Sequence, residues 1–333
     1  MPLSSSMQTL IKLVNFYARF TPSFTRLGYV ARGLPLRPAG GDFTGQTWLV
    51  TGATGGLGRA ATLEAARRGA RVLAVGRSRE ALAGLAADAG GGKGAVVTVA
   101  CDLSSMAEVA AMADRPELAG AGIDVLVNNV GVLQRGFAAT AEGFETSYAT
   151  NLLGHFILTE RLHEAGKLAS GAAIINVVSG GLYNAPLNTA MLDIPEPTFN
   201  GFAAYGSHKR AQLALTDHWR GAFGGRKIRA YAVHPGWADT AGVKTSLPKF
   251  RKVLAPILRS PRQGVDTVIW LAAKRPDEAV DQVWFDRKAR SAHAYPHTRK
   301  AQATLPDLLA RLARDRESIL GVDEAAPAPA IAV

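Results

Sequence analysis

The chain has 333 residues, 47% hydrophobic and 20% charged, enough to bury the core of one large α/β domain or of two small ones. Its single cysteine, Cys101, excludes an internal disulfide framework and a cysteine-based metal cluster and points to a reducing compartment. The net charge of +11 is uneven: five basic and no acidic side chains in residues 1–41, 17 of each in 42–243, 13 basic and five acidic in 244–300, three and five after that. The excess outside the central stretch suits a phosphate-bearing partner, an anionic membrane surface or plain solvation. It lacks the aromatic–basic interleaving of a nucleic-acid binder.

Residues 1–41 read as an extension. Ser4 to Ser6 can cap a helix running to about Phe20, with Pro22 as its stop. Met7, Leu10, Ile11, Val14, Tyr17 and Ala18 share a face that Leu13, Phe16 and Phe20 widen, leaving Gln8, Lys12, Asn15 and Arg19 as a narrow polar stripe. Such a helix suits a membrane interface. It equally suits packing on its own domain or serving as the arm of a homo-oligomer, and its acid-free, Arg-bearing composition also fits a cleaved organellar presequence. No apolar run reaches the ~18–20 residues of a spanning helix. The expected location is cytoplasmic, with peripheral membrane contact as an open addition.

From Gln46 onward strand and helix patterns alternate. Short apolar strands are expected at 47–51, 71–75, 95–100, 123–127, 172–178 and 228–233, with helices between them, including 56–68 and 79–87. Near-continuous apolar strands imply burial on both faces, hence a doubly wound α/β fold with a mainly parallel sheet of about seven strands. Gln282 to Phe285 reads as an edge strand, Leu305 to Leu320 as an amphipathic helix with Pro306 in its first turn, and Ala325 to Val333 as a disordered tail. The expected division is an extension over 1–41, a catalytic domain over 42–300, and a C-terminal helix and tail over 301–333.

Thr51-Gly52-Ala53-Thr54-Gly55-Gly56-Leu57-Gly58 joins the first strand to the first helix of that domain. Glycines there let the backbone turn tightly and approach a pyrophosphate, at which the helix N-terminus points free N–H groups. The second strand ends at Gly76-Arg77 with no acid to hold a ribose 2′-hydroxyl, while Arg77 and Arg79 suit a 2′-phosphate, so NADP is expected over NAD. Asp102-Leu103 and Asn128-Asn129-Val130-Gly131 end the third and fourth strands, at the carboxyl edge where ligands bind. Asp102 could accept from an adenine amine. Tyr205 and Lys209, four residues apart, share one helix face, which places a phenol beside an ammonium.

The ordered set TGATGGLG (51–58), NNVG (128–131), Asn151 in NLLGHF, Ser179 in NVVSGG, YGSHK (205–209) and HPGWADT (234–240) resembles the short-chain dehydrogenase/reductase family over roughly residues 44–290. HPGWADTAGV and WFDRKARSAH narrow the likeness to one of its branches. The resemblance implies a Rossmann fold and these roles: Tyr205 as general acid or base, Lys209 lowering its pKa and binding the nicotinamide ribose, Ser179 bonding the substrate oxygen, and Asn151 supporting a proton relay. Pro235, Gly236 and Thr240 would flank the nicotinamide. Val130 and Val178 depart from the commoner residues without removing a reactive group. The insert LYNAPLNTAMLDIPEPTFNGF, with Trp237, Leu247 and Phe250, is expected either to line a pocket for a bulky apolar substrate or to pack as a surface loop. His155, His208 and His234 lack metal-ligand spacing and are read as structural, with no metal implied. The expected function is NADP(H)-dependent interconversion of a carbonyl and an alcohol on a lipophilic small molecule. The alternative is a non-catalytic NADP-binding scaffold or lipid-binding protein.

Overall fold

Apolar segments with little else in them can settle only where both faces are covered, and they do so here. The computed structural model describes residues 5–120, 122–277 and 280–321, with side chains from residue 15 onward. Its strands are β1 (Thr47–Thr51), β2 (Arg71–Gly76), β3 (Ala95–Ala100), β4 (Ile123–Asn128), β5 (Leu168–Val177), β6 (Arg229–Val233), β7 (Gln282–Phe285) and β8 (Lys288–Ser291). Their order is β3-β2-β1-β4-β5-β6-β7-β8, parallel throughout except for the last pair. The sheet therefore has eight strands among the described residues rather than seven. Gln282–Phe285 is not the edge: Asp286 and Arg287 adopt φ of 50° and 59° and turn the chain into the exposed strand β8, which pairs antiparallel with β7.

The helices are α1 (Ser5–Phe24), α2 (Arg26–Ala31), α3 (Gly56–Arg67), α4 (Arg79–Asp88), α5 (Met106–Ala110), the single turn α6 (Thr146–Tyr148), α7 (Gly154–Glu164), α8 (Gly201–Ala222), α9 (Ala241–Ser246), α10 (Pro248–Leu254), α11 (Pro261–Gly264), α12 (Asp266–Lys274) and α13 (Leu305–Leu320). One face of the sheet is covered by α3 and α12, the other by α5, α7, α8 and α13. Leu308 and Leu312 put α13 into that second core, and Thr304 and Asp307 close its start with a reciprocal capping box. The tail expected at 325–333 lies outside the described residues.

The N-terminal segment departs from the expected outline. α1 does not end at Phe20; it continues through Pro22 to Phe24. Proline removes one backbone hydrogen bond, but it falls in the last turn, and continuation stacks Phe20 on Phe24 at 4.6 Å and buries both rings. Both also stack on Tyr183, and Phe24 meets His234 at 4.3 Å and Phe285 at 5.1 Å. The segment is thus docked on its own domain along residues 16–24. The apolar positions expected at Met7, Leu10, Ile11, Leu13 and Val14 have side chains outside the described set.

Polar contacts fix the docking. Arg259, 1% exposed, donates from Nη1 and Nη2 to the Asp286 carboxylate at 2.6 and 2.9 Å, and to the Phe24 carbonyl from Nε at 2.9 Å. Its Nη2 also reaches the Ser23 carbonyl at 3.1 Å. Arg32 joins Asp286 from the other side at 2.6 Å, and Trp237 N–H donates to the Phe24 carbonyl at 2.8 Å. A buried carboxylate between two guanidiniums thereby ties together the α1–α2 corner, the β7–β8 turn and the loop after β6.

Candidate active site

The carboxyl ends of the central strands carry the site, as a parallel sheet with a reversal of strand order between β1 and β4 directs. The glycine-rich turn runs from β1 into α3. Gly52 has φ +64°, and a Cβ on Gly58 would collide with the Gly52 carbonyl, so both positions require glycine. α3 starts at Gly55 without a side-chain cap, whereas α4, α8 and α9 are capped by Ser78, Asn200 and Thr240. Its first N–H groups and positive dipole end are left for an anion. Thr51 Oγ1 accepts from Asn129 N at 2.9 Å and Val130 N at 3.1 Å, and Asn129 Nδ2 donates to the Thr51 carbonyl at 2.8 Å. These bonds hold the NNVG corner against the turn. Thr240 closes the far side, its Cγ2 3.1 Å from where a Gly56 Cβ would be, and Leu57 packs beside Gly264.

Beyond the turn, a cleft of about 460 Å³ is lined by Arg77, Arg79, Asp102, Glu108 and Arg115 among others. Arg77 and Arg79 are exposed and form no ion pair among the described residues; Arg115 stands 4.0 Å from Glu108. Three guanidiniums around one cleft fit a phosphate. Arg115 is the member that sequence reasoning missed, because nothing local to β2 announces a residue 38 positions downstream. Asp102 Oδ1 accepts from Ser104 N–H and Oγ, which closes its own turn, while the Leu103 side chain enters the core. Thr54 lies against Gly76, the residue before Arg77, its Cγ2 3.0 Å from the Gly76 Cβ position. An uncapped helix start with a glycine cradle beside an arginine cleft fits a dinucleotide carrying an extra phosphate.

The four expected catalytic residues converge from separate elements. Ser179 follows β5, Tyr205 and Lys209 lie on α8, and Asn151 lies in a π-helical turn, Ala149–Leu153, between α6 and α7. Such turns mark helices distorted for a purpose; no periodicity signal gave this one away. Burial raises the Tyr205 pKa, and the nearby Ser179 hydroxyl draws it down. Lys209 lies one turn further along α8, and its Nζ, 5.7 Å from the centre of the Tyr205 ring, donates to the Val177 carbonyl at 2.9 Å and to Gln212 Oε1 at 2.8 Å. Burial lowers the Lys209 pKa to about 7.

Gln212 and His155 complete a network that sequence reasoning did not assemble. Gln212 Nε2 donates to the Asn151 carbonyl at 2.8 Å and faces His155 Nδ1 at 2.9 Å, and His155 Nε2 lies 3.3 Å from Thr51 Oγ1. Lys209, Gln212, Asn151, His155 and Thr51 therefore form one buried chain of polar groups from the catalytic helix to the glycine turn. Burial holds His155 neutral, with a pKa of about 3. Gln212 is three residues after Lys209 on α8, a spacing that puts it on the same face. Asn151 Oδ1 accepts from Val132 N at 2.7 Å, and its Nδ2 donates to the Val132 carbonyl at 2.8 Å, a two-point clamp on the loop after Gly131. A Cβ on Gly131 would sit 3.3 Å from Lys209 Nζ.

The remaining expected positions follow the loop after β6. His234, with a pKa pushed down to about 3 by burial, accepts the Gly236 N–H at 2.9 Å, and Gly236 packs on Arg259. Pro235 lies between them, and its carbonyl is 3.6 Å from the Cβ position of Gly264. Part of the insert packs inward: Leu192 joins the main core, and its carbonyl accepts from His208 Nε2 at 2.6 Å. Asn188 Nδ2 donates to Gln302 at 2.6 Å and Asp193 pairs with Arg311 at 3.1 Å, which tie the insert to α13 and the segment before it. Tyr183 alone of its aromatics reaches the α1 cluster.

The short chain dehydrogenase family matches residues 46–249. Human dehydrogenase/reductase SDR family member 12 is 31% identical over 297 residues, 86% of this chain and 91% of its own. Human retinol dehydrogenase 14 is 32% identical over 271 residues, 74% of this chain and 80% of its own. Among solved structures, the angucycline C-6 ketoreductase LanV with bound NADP superposes with a TM-score of 0.57 at 28% identity, covering 70% of this chain and 91% of that one. This chain, an oxidoreductase acting on CH–OH groups, belongs to the short-chain dehydrogenase/reductase family.

Proposed function

We propose that the protein interconverts a carbonyl and an alcohol on a lipophilic small molecule, with NADP(H) as its cofactor. The observation that carries this reading is the convergence of Ser179, which follows β5, with Tyr205 and Lys209 on α8, the Lys209 Nζ 5.7 Å from the centre of the Tyr205 ring, beside a glycine turn whose helix start is uncapped. When bound, the nicotinamide supplies or takes the hydride. Tyr205 moves the proton at the substrate oxygen, and Ser179 holds that oxygen in reach. Lys209 orients from its seat on Gln212 and the Val177 carbonyl, and the Asn151 π turn keeps that seat in place. Gly52, Gly55, Gly56 and Gly58 admit the pyrophosphate, and Arg77, Arg79 and Arg115 favour a 2′-phosphate over a bare hydroxyl.

The test is turnover with NADPH and with NADH over a panel of lipophilic aldehydes and ketones. Tyr205→Phe is expected to lower kcat at least about 100-fold, in line with the loss of a positioned acid, while NADPH still binds. Arg77→Ala is expected to raise the NADPH KM about tenfold and leave the NADH KM unchanged. Equal rates for Tyr205→Phe and wild type would remove the mechanism. Stoichiometric NADPH binding without turnover on any carbonyl would favour a scaffold that keeps the fold.

A second reading concerns where the substrate is met. Leu27, Val30 and Leu36 are 58%, 50% and 86% exposed, and Arg26 and Arg37 beside them are exposed too. Apolar side chains rimmed by cations suit the surface of an anionic membrane. No helix among the described residues is long and apolar enough to cross one.

A further inference from the structure

The aromatic residues of α1 divide into two sets. Phe20 and Phe24, one turn apart, are 7% and 4% exposed and are fully engaged with Tyr183, His234 and Phe285. Phe16 and Tyr17, one turn earlier, are only half-buried. Their rings lie against Trp237 at 6.2 and 5.7 Å, and Tyr17 and Trp237 both meet Phe250 of α10, at 6.0 and 5.1 Å. Four rings from three distant parts of the chain thus form one continuous surface.

That surface adjoins the reacting groups. A Cβ on Gly180, the residue after Ser179, would lie 3.5 Å from Phe24 Cε2 and 3.9 Å from Phe16 Cζ. A Cβ on Gly181 would lie 3.4 Å from the Tyr205 ring. On the other side, Trp237 sits three residues before Thr240, which touches Gly56 of the cofactor turn. Through Phe16 the surface therefore reaches the residue after Ser179, and through Trp237 it runs toward the cofactor turn. The buried Arg259–Asp286 pair and the Trp237 N–H bond to the Phe24 carbonyl hold them in register.

We infer, resting on the oxidoreductase reading above, that α1 is the substrate-side wall of the active site. Phe16 and Tyr17, with Trp237 and Phe250, select flat apolar carbonyl compounds over small ones. A half-buried ring edge offers contact area to a ligand without ordering a flexible side chain. Offset or edge-on stacking rewards a planar partner in a way that aliphatic walls do not. The N-terminal segment, remote in sequence from every motif, is then part of the specificity pocket.

The experiment uses the full chain saturated with NADP⁺ and calorimetric titration of 2-acetylnaphthalene and of cyclopentanone. In the wild type the naphthyl ketone is expected to bind the tighter. Phe16→Ala and Tyr17→Ala are each expected to cut the naphthyl-to-cyclopentanone affinity ratio about tenfold, the factor that goes with losing one ring's burial. Phe16→Leu and Tyr17→Leu keep apolar bulk for the fold but lose the ring, and should reproduce most of that loss with NADP⁺ affinity intact. An unchanged ratio in the leucine variants, or no binding of the naphthyl ketone by the wild type, overturns the inference. Loss of the ratio without turnover on either ketone leaves the wall standing and sinks the oxidoreductase reading instead.

Discussion

At the scale of single residues, Lys209 is the group whose surroundings matter most. It is 2% exposed, has no carboxylate partner among the described residues, and is held by a carbonyl and an amide oxygen. Burial alone takes its pKa from 10.5 to about 7, so the sign of the linkage follows. Between those two values the unfolded chain keeps the proton that the folded one has released, and stability rises with pH by up to about 1.4 kcal/mol per unit. Lys209→Met removes the term. Urea midpoints from pH 7 to 10 are expected to climb in the wild type relative to Lys209→Met, with the gap in slope closing above about pH 10. Parallel curves would mean that the ammonium stays charged in its seat. That Tyr205, Ser179, Lys209 and Asn151 should come together was legible in the sequence, because each stands in an ordered motif. The seat was not: Gln212 and His155 reach Lys209 and Thr51 through the distorted turn at 149–153, and residue spacing alone does not report such a turn.

Among the elements, the alternation from β1 to β6 could be read directly, since apolar runs of five or six residues bounded by glycine and polar turns leave few other folds open. α1 could be seen as a helix, but its docking could not. Pro22 argued for an earlier stop, and the pair that pins the corner joins Arg259 to Asp286, residues that read as surface charges within basic stretches. Their burial makes a clear prediction. Asp286→Asn keeps a side chain that tolerates the φ of 50° but leaves the guanidiniums of Arg259 and Arg32 without their anion. Stripping one partner from a buried pair costs about 3–5 kcal/mol. The urea midpoint of Asp286→Asn should fall accordingly at an unchanged slope, and limited proteolysis should cut first within residues 1–41. A midpoint equal to that of the wild type would show that water screens the pair and that the aromatic contacts alone hold α1.

Over the whole molecule, the charge of +11 is less free than its placement suggested. In the 244–300 stretch Arg259, Arg287 and Arg251 are committed to Asp286, Asp266 and Asp239. On the extension Arg32 is likewise engaged, whereas Arg26 and Arg37 stay exposed. Because residues 16–24 turn their rings inward, the apolar surface left to the extension shifts to Leu27 and Val30, three apart on the outer face of α2, and to Leu36 beyond it. Three partly inserted side chains and two cations at about 1 kcal/mol each give weak attachment that salt can remove. The full chain is expected to float with vesicles containing anionic phosphatidylserine at low salt. It should sink with neutral phosphatidylcholine vesicles, and with anionic ones at high salt. Leu27→Asp combined with Val30→Asp, both pointing away from the aromatic wall, should abolish flotation while leaving NADPH turnover intact. Flotation of the double variant equal to that of the wild type would place the contact elsewhere on the surface. Absence of flotation at low salt would leave the exposed leucines without a membrane role.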